Sequence, residues 1–262
     1  LDWLAVEFMD SGWDMKHMLR LMVLSETYKQ TSDLNETLLE KDPKNLYYAR
    51  APRFRLDAET IRDQALFVSG LLSTEMYGAP VMPYQPPGVW NQTGRNEPVW
   101  EEQEDSNRWR RGVYVVYRRA APYPSFVNFD APDRSACTVQ RSRTNTSTQA
   151  LTLLNDPAYV EMALALADRI LCEAPSEDLK LRIDYAMELV VGRPAKEREL
   201  ETLSEALEEQ IAVFAERPNE AAEFLESSSE YYKPVHRDKN ELAAWLFVAN
   251  VLLNLDETIT KG

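Results

Sequence analysis

The chain is short of the residues that most readily carry chemistry. Of 262 residues only two are histidine, two cysteine and eight glycine. His17 lies beside Met15 and Met18, and His236 lies in a polar stretch. Neither belongs to a spaced His or carboxylate set, so no zinc or haem-iron site is expected. Cys137 and Cys172 form no C-x-x-C and no C-x-x-C-H, which excludes covalent haem attachment here. They read as two separate semi-buried thiols, a single disulfide between them being the alternative. So few glycines leave no phosphate-cradling loop and no nucleophile elbow. A Ser-His-Asp triad needs no sequence proximity, but nothing local supports one.

Other absences bound the class. No run of about 18 apolar residues exists, so no transmembrane helix is expected. No basic leader precedes an apolar core, and Leu1 falls inside a helix-like pattern without an initiator Met. The chain therefore reads as a piece of a longer one. Basic residues are outnumbered, 29 against 43 acidic, for a formal charge of −14. That argues against general nucleic-acid binding, which depends on Lys and Arg neutralising phosphates.

What is present is mostly helical pattern. A mainly α, multi-helix fold is expected, as one helical domain over residues 1–262. It divides into a helical region 1–72, an irregular region 73–140 with a small β element, and a helical region 141–262. Trp3, Leu4 and Phe8 mark a first helix. Asp14 caps a second with Met18, Leu21, Met22 and Tyr28 on its face, and Asp57 caps a third running to about Leu72. Residues 73–107 form a Pro/aromatic-rich excursion, in which Pro80, Pro83, Pro86, Pro87 and Pro98 forbid a long helix. Its aromatics argue for order rather than disorder. Tyr84 and Trp90 make a candidate stacking surface, with a small loop core as the competing reading. GVYVVYRR at 112–119 is the strand candidate, requiring a partner from 80–100 or 125–140, with a helical turn as the alternative.

The stretch from Arg141 to Ile170 holds the densest local instructions. Thr146-Ser147-Thr148-Gln149 reads as a capping box. Asn155-Asp156-Pro157 stops that helix and starts another, with Asp156 as N-cap and Pro157 at the first helical position. Ser176 is read as capping the next helix and Gly192 as stopping it. Leu200, Leu203, Leu207, Ile211 and Phe214 repeat at helical spacing before Pro218. Residues 227–239 read as a polar loop, and Leu242 to Leu253 as the last helix.

Charge is segregated. From Arg108 to Arg143 eight arginines face two aspartates, a net +6, whereas Glu173 to Glu230 holds six basic and sixteen acidic residues. An all-Arg segment beside a helix start suits bidentate capture of carboxylate, phosphate or sulfate. The candidate anion site comprises Arg118, Arg119, Arg134, Arg141 and Arg143, with Asn145 beside them. The competing reading is that internal carboxylates neutralise these guanidiniums.

Seven long runs carry a resemblance: LDWLAVEF, LRLMVLSETYKQTS, ARAPRFRLDAETIRDQALFVSGLLS, PYQPPGVW, FDAPDRSACTV, RSRTNTSTQALTLLNDPAYVE and VANVLLNLDETITKG. In order through nearly the whole chain, they resemble the C-terminal domain of unknown function of planctomycete cytochrome-c-associated (PSCyt/PSD-type) proteins. The family's N-terminal segment would then be missing here. Gln140 stands where the family often has Arg, which removes one charge from the anion site, and Ser147 where it often has Pro. The resemblance implies an exported, multidomain cell-envelope protein whose other domains are its partners. Any haem would sit on those domains, with none in this one. It supplies no catalytic residue. Two functions are thus expected: a non-catalytic structural, docking or ligand-holding module, or an enzyme domain acting on an anionic polymer such as a sulfated polysaccharide. We expect the purified domain to carry no haem, and a Soret band that survives denaturation and extraction would contradict this.

Overall fold

The computed structural model describes residues 1–92 and 99–262. Pro98, one of the helix-forbidding prolines, lies outside the described residues. Among the described residues helix accounts for 56% and the sheet has only two strands, so the fold is mainly α. Where the sequence reads as one domain, the chain forms two compact units: Leu1–Arg55 with Thr260–Gly262, and Leu56–Ile259.

The first unit contains α1 (Asp2–Asp10), α2 (Met15–Val23), α3 (Glu26–Lys29) and α4 (Glu36–Lys41). Asp14 caps α2 as expected, its carboxylate accepting from the Lys16 and His17 amides. Of the expected α2 face, Met18 is buried while Met22 and Tyr28 are exposed. β1 (Phe54–Arg55) pairs antiparallel with β2 (Thr260–Lys261), so the two-stranded sheet joins distant parts of the sequence.

The second unit is built from α5 (Ala58–Val68), α6 (Pro124–Asn128), α7 (Ser147–Asn155), α8 (Pro157–Glu173), α9 (Leu179–Val191), α10 (Glu197–Glu216), α11 (Pro218–Ser228), α12 (Lys239–Leu253) and α13 (Asp256–Ile259). α8 and α12 are apolar nearly all round, which marks helices buried on every side. They pack on each other, with α10 and α11 also lying on α12. Trp245, Leu166, Ile170 and Leu246 are fully enclosed between them. The sharp corner before α8 forms as its residues dictate. Thr146 and Gln149 face each other as a capping box, with Gln149 Oε1 accepting from the Thr146 N–H at 3.3 Å. The Asp156 carboxylate accepts from the Ala158 amide at 2.9 Å, and Pro157 opens the helix.

Several expectations are corrected. The segment 112–119 holds its β element as a single parallel bridge from Val115 to Val81, inside the expected partner stretch, and Gly112–Tyr114 is a 3-10 turn, the helical-turn alternative. The cause lies at Gly112, whose N–H donates to Asp63 Oδ1 at 2.6 Å. A Cβ there would lie 3.1 Å from the Glu59 backbone, so the chain is pressed against α5 and cannot run in a ladder. The helix start after α8 is capped by Asp178, which accepts from the Leu181 amide, while Ser176 only receives the Asp178 N–H. Gly192 does end α9, with φ at 76°, where a Cβ would be strained. Pro218 does not merely end α10; it opens α11, so the polar loop begins after Ser228. On α10, Leu203, Leu207 and Phe214 are buried and Leu200 partly so, but Ile211 is 38% exposed. Both cysteines are free and exposed rather than semi-buried.

Leu207 is fully buried. Replacing it with alanine should lower unfolding free energy by about 2–5 kcal/mol in a denaturant titration, the transfer loss plus the cavity left behind. A loss below about 0.5 kcal/mol would place α10 outside the cooperative core.

Candidate functional site

Part of the arginine-rich segment turns inward. Arg108 and Arg110 are buried. Arg110 donates to the carbonyls of Glu75, Tyr77 and Ala79, pinning the excursion. Arg141 forks onto Glu59, with contacts of 2.6 and 3.2 Å, and reaches within 3.8 Å of Asp57. Burial pushes the Glu59 carboxyl up, but the hydrogen bonds and charge of Arg141, a backbone hydrogen bond and the charge of Arg134 together hold it below its ordinary value. Arg134 lies 4.1 Å from the Tyr117 ring and Arg118 lies 4.9 Å from that of Trp90. Of the predicted site residues, Arg134 and Arg141 share one concavity of about 440 Å³. Arg118 is half-buried, Arg119, Arg143 and Asn145 are exposed, and none of these four lines it. With Arg141 already occupied by a carboxylate, this concavity carries far less positive charge than the sequence count implies.

The predicted aromatic pair does not form a platform. Trp90 is buried, edge-on to Trp100 at 5.0 Å. Trp100 stacks on Tyr123 and donates to the Pro83 carbonyl, giving the excursion a small core of its own. Tyr84 is half-buried, and its carbonyl accepts from the Tyr123 hydroxyl. Burial raises that hydroxyl to about 12.

A different constellation lies along α8. Glu161 and Asp168, seven residues apart, are 5% and 3% exposed inside an otherwise apolar helix. Glu161 accepts from Trp109 Nε1 at 2.9 Å and Ser229 Oγ at 2.6 Å, with Arg108 Nε at 3.5 Å. Arg108 also reaches Glu102 at 3.0 Å and covers the Tyr231 ring at 3.6 Å. Asp168 accepts from the Tyr232 hydroxyl at 2.6 Å and from the Val235 and His236 amides at 2.9 and 2.8 Å. Burial and this bond to Asp168 raise the Tyr232 hydroxyl well above its usual range. Two buried carboxylates thus fix the path of residues 229–237.

That segment has a concavity on either side. The smaller, about 230 Å³, is lined by Tyr84, Glu102, Arg108, Pro157, Glu161 and residues 227–231. The larger, about 890 Å³, lies between the end of α11 and the start of α12 over residues 225–242. Its walls mix Leu225, Tyr232, Val235 and Leu242 with Lys233, Arg237 and Lys239. His236 Nε2 lies 3.0 Å from Glu241 Oε2, and Glu241 is held by Arg182 at 2.5 Å. Among the described residues no hydrogen bond joins a serine hydroxyl to a histidine, and no three His, Cys, Asp or Glu side chains gather as metal ligands.

The architecture is thus a helical domain with an open groove and with its buried ionic groups used internally. The family model for PSD1, a protein of unknown function (DUF1553), matches residues 1–207, and the chain belongs to that family. Comparison with curated proteins and with solved structures finds no match. The groove at 225–242 lies beyond the matched residues.

Asp168→Asn keeps the side-chain shape but turns an NH2 toward groups that donate. We expect it to cost about 1.5–3 kcal/mol, the scale of charge-assisted bonds. Amide exchange should accelerate within 229–237 before the rest of the unit. Uniform acceleration would mean that Asp168 does not hold this segment in particular.

Proposed function

We propose that this domain is a non-catalytic, ligand-holding or docking module, with the 225–242 groove as the place where it holds its ligand. One observation carries the reading: the two buried carboxylates and the serine hydroxyls beside the groove are already engaged. Asp168 takes two amides and a hydroxyl, and Glu161 takes an indole and a hydroxyl. The Ser227 and Ser228 hydroxyls donate to the Phe224 carbonyl. A general base must be free to take a proton from substrate. The groove's volume, by contrast, suits a small organic ligand, for which about 300–1,000 Å³ is typical. The motif runs that resemble cytochrome-associated planctomycete proteins support an exported setting in the cell envelope, with the other domains of a longer chain as partners. Any haem would belong to those domains, since this one has no attachment motif.

An enzyme acting on an anionic polymer is the second reading, and it draws on Glu102. Burial raises that carboxyl despite the neighbouring Arg108, and a raised carboxyl in a cleft is a candidate acid. Its opposite number, Glu161, is occupied by three partners and is not a free base.

Fragment mapping by two-dimensional NMR on the whole chain separates the two readings. Shift changes should gather on residues 225–242. Shifts gathered on Glu102 and Tyr84, with Glu102→Gln abolishing turnover of a sulfated or uronate oligosaccharide, would establish the enzyme instead.

A further inference from the structure

We infer that the exposed face of the α1–α2 hairpin is an interface for a second copy of this chain, with α1 of each copy lying on α2 of the other. It does not depend on the 225–242 groove. Apolar surface is concentrated on this hairpin. Of residues 2–24, nine are exposed large hydrophobics and one, Met18, is buried. The described part of residues 56–259 is far longer and has only thirteen. On α2 the positions are ordered. Met15, Leu19, Met22 and Val23 recur at i, i+4, i+7 and i+8, the stripe that a surface helix turns to its core, yet each is 42–69% exposed. On α1, Trp3, Val6 and Met9 are 49–60% exposed. The turn between the helices adds Trp13, 65% exposed and held at φ 64°, a conformation that a bulky residue adopts only under constraint. Phe8, edge-on to Trp13 at 5.1 Å, and His17 Nε2, 2.7 Å from Glu7 Oε1, fix the hairpin, so the face is formed before anything binds.

Charge selects the occupant. α1 carries Asp2, Glu7 and Asp10 and no base, whereas α2 carries Lys16, His17 and Arg20 and no acid. Glu7 is engaged by His17, which leaves Asp2 and Asp10 on one helix and Lys16 and Arg20 on the other. Opposite charges on two successive nine-residue helices make the face complementary to itself about a two-fold axis, because α1 then meets α2 twice. The first unit as a whole holds nine basic and nine acidic residues, so the formal charge of −14 belongs to the second. Contact through the first unit brings together two units without net charge, whereas contact through the second would bring together two of −14. A lipid surface fits less well. Anionic headgroups favour an apolar face rimmed by Lys and Arg, and residues 2–24 carry four acids against two such bases. The area also suffices. Two tryptophans at roughly 150 Å² each and seven smaller side chains at roughly 50 Å² each offer on the order of 600 Å². With a polar rim that approaches the roughly 800 Å² per partner of a stable interface.

Sedimentation velocity on the whole chain, over a concentration series reaching about 100 μM, tests this. A reversible monomer–dimer equilibrium is expected. Leu19→Asp, at an exposed position, should weaken it at least about tenfold while far-ultraviolet circular dichroism stays unchanged. Lys16→Glu/Arg20→Glu should weaken it as well, and adding Asp2→Lys/Asp10→Lys should restore it to within about threefold, since opposite charges again face each other. A chain monomeric throughout, a dimer indifferent to Leu19→Asp, or a charge-reversed chain that the second pair of changes fails to rescue would overturn the inference. Should a monomeric chain instead co-sediment with phosphatidylcholine–phosphatidylserine vesicles, and Leu19→Asp abolish that, the face belongs to a membrane surface and the inference falls.

Discussion

Two carboxylates on one buried helix hold the second unit's irregular segments in place. Burying an unpaired carboxylate costs several kcal/mol, and the cost is offset only when donors surround it. Glu161 and Asp168 meet that condition by drawing in donors distant in sequence: Arg108 and Trp109 from the excursion, and Ser229, Tyr232, Val235 and His236 from the segment between α11 and α12. The helix therefore does more than fill the core. It fixes the 105–110 turn on one side and 229–237 on the other, and through them both concavities. Removal of either carboxylate leaves several buried donors unpaired at once, so the effect is not that of a single bond.

The same logic explains the arginines. A long irregular excursion exposes backbone carbonyls that no helix or sheet ladder satisfies. Arg110 meets three of them, and Arg108 and Arg62 each meet another. Five donors in a planar fork suit this work better than a lysine ammonium would. Backbone carbonyls and internal carboxylates thus account for Arg108, Arg110 and Arg141 of the 108–143 segment, and the anion-capture reading of Arg141 has to compete with the fork it makes on Glu59.

Much of the helical framework was legible before any coordinates. Asp14, Asp156 and Gly192 act where local chemistry put them, because caps depend on residues within three or four positions. Leu203, Leu207 and Phe214 face inward because period and burial agree there, whereas Ile211, on the same stripe, is 38% exposed. The strand at 112–119 shrinks to one bridge for a tertiary reason: β-branched composition favours extended chain, but Gly112 is pulled onto Asp63 and the flank of α5. α11 went unread because Pro218 is ambiguous, able to end one helix or begin the next. For the site, the arginine positions were visible and their partners were not. Glu59 is some eighty residues from Arg141, and no local pattern joins them. A signal for Glu161 and Asp168 did exist, since single carboxylates in a helix apolar on every side must find partners.

The basic residues of the most acidic stretch follow from the same accounting. Glu173 to Glu230 is strongly acidic, and its few arginines are largely taken: Arg182 by Glu241, Arg193 by Glu199 and Glu257, Arg217 by Glu220. Arg193 is held so firmly between two carboxylates that its guanidinium is driven above its ordinary range, while Glu199 falls to about 2. Among the described residues Lys180, Arg198, Lys233 and Arg237 make no ion pair, so pairing is selective rather than complete. Folding tolerates the omission, because a surface pair contributes only about 0–1 kcal/mol.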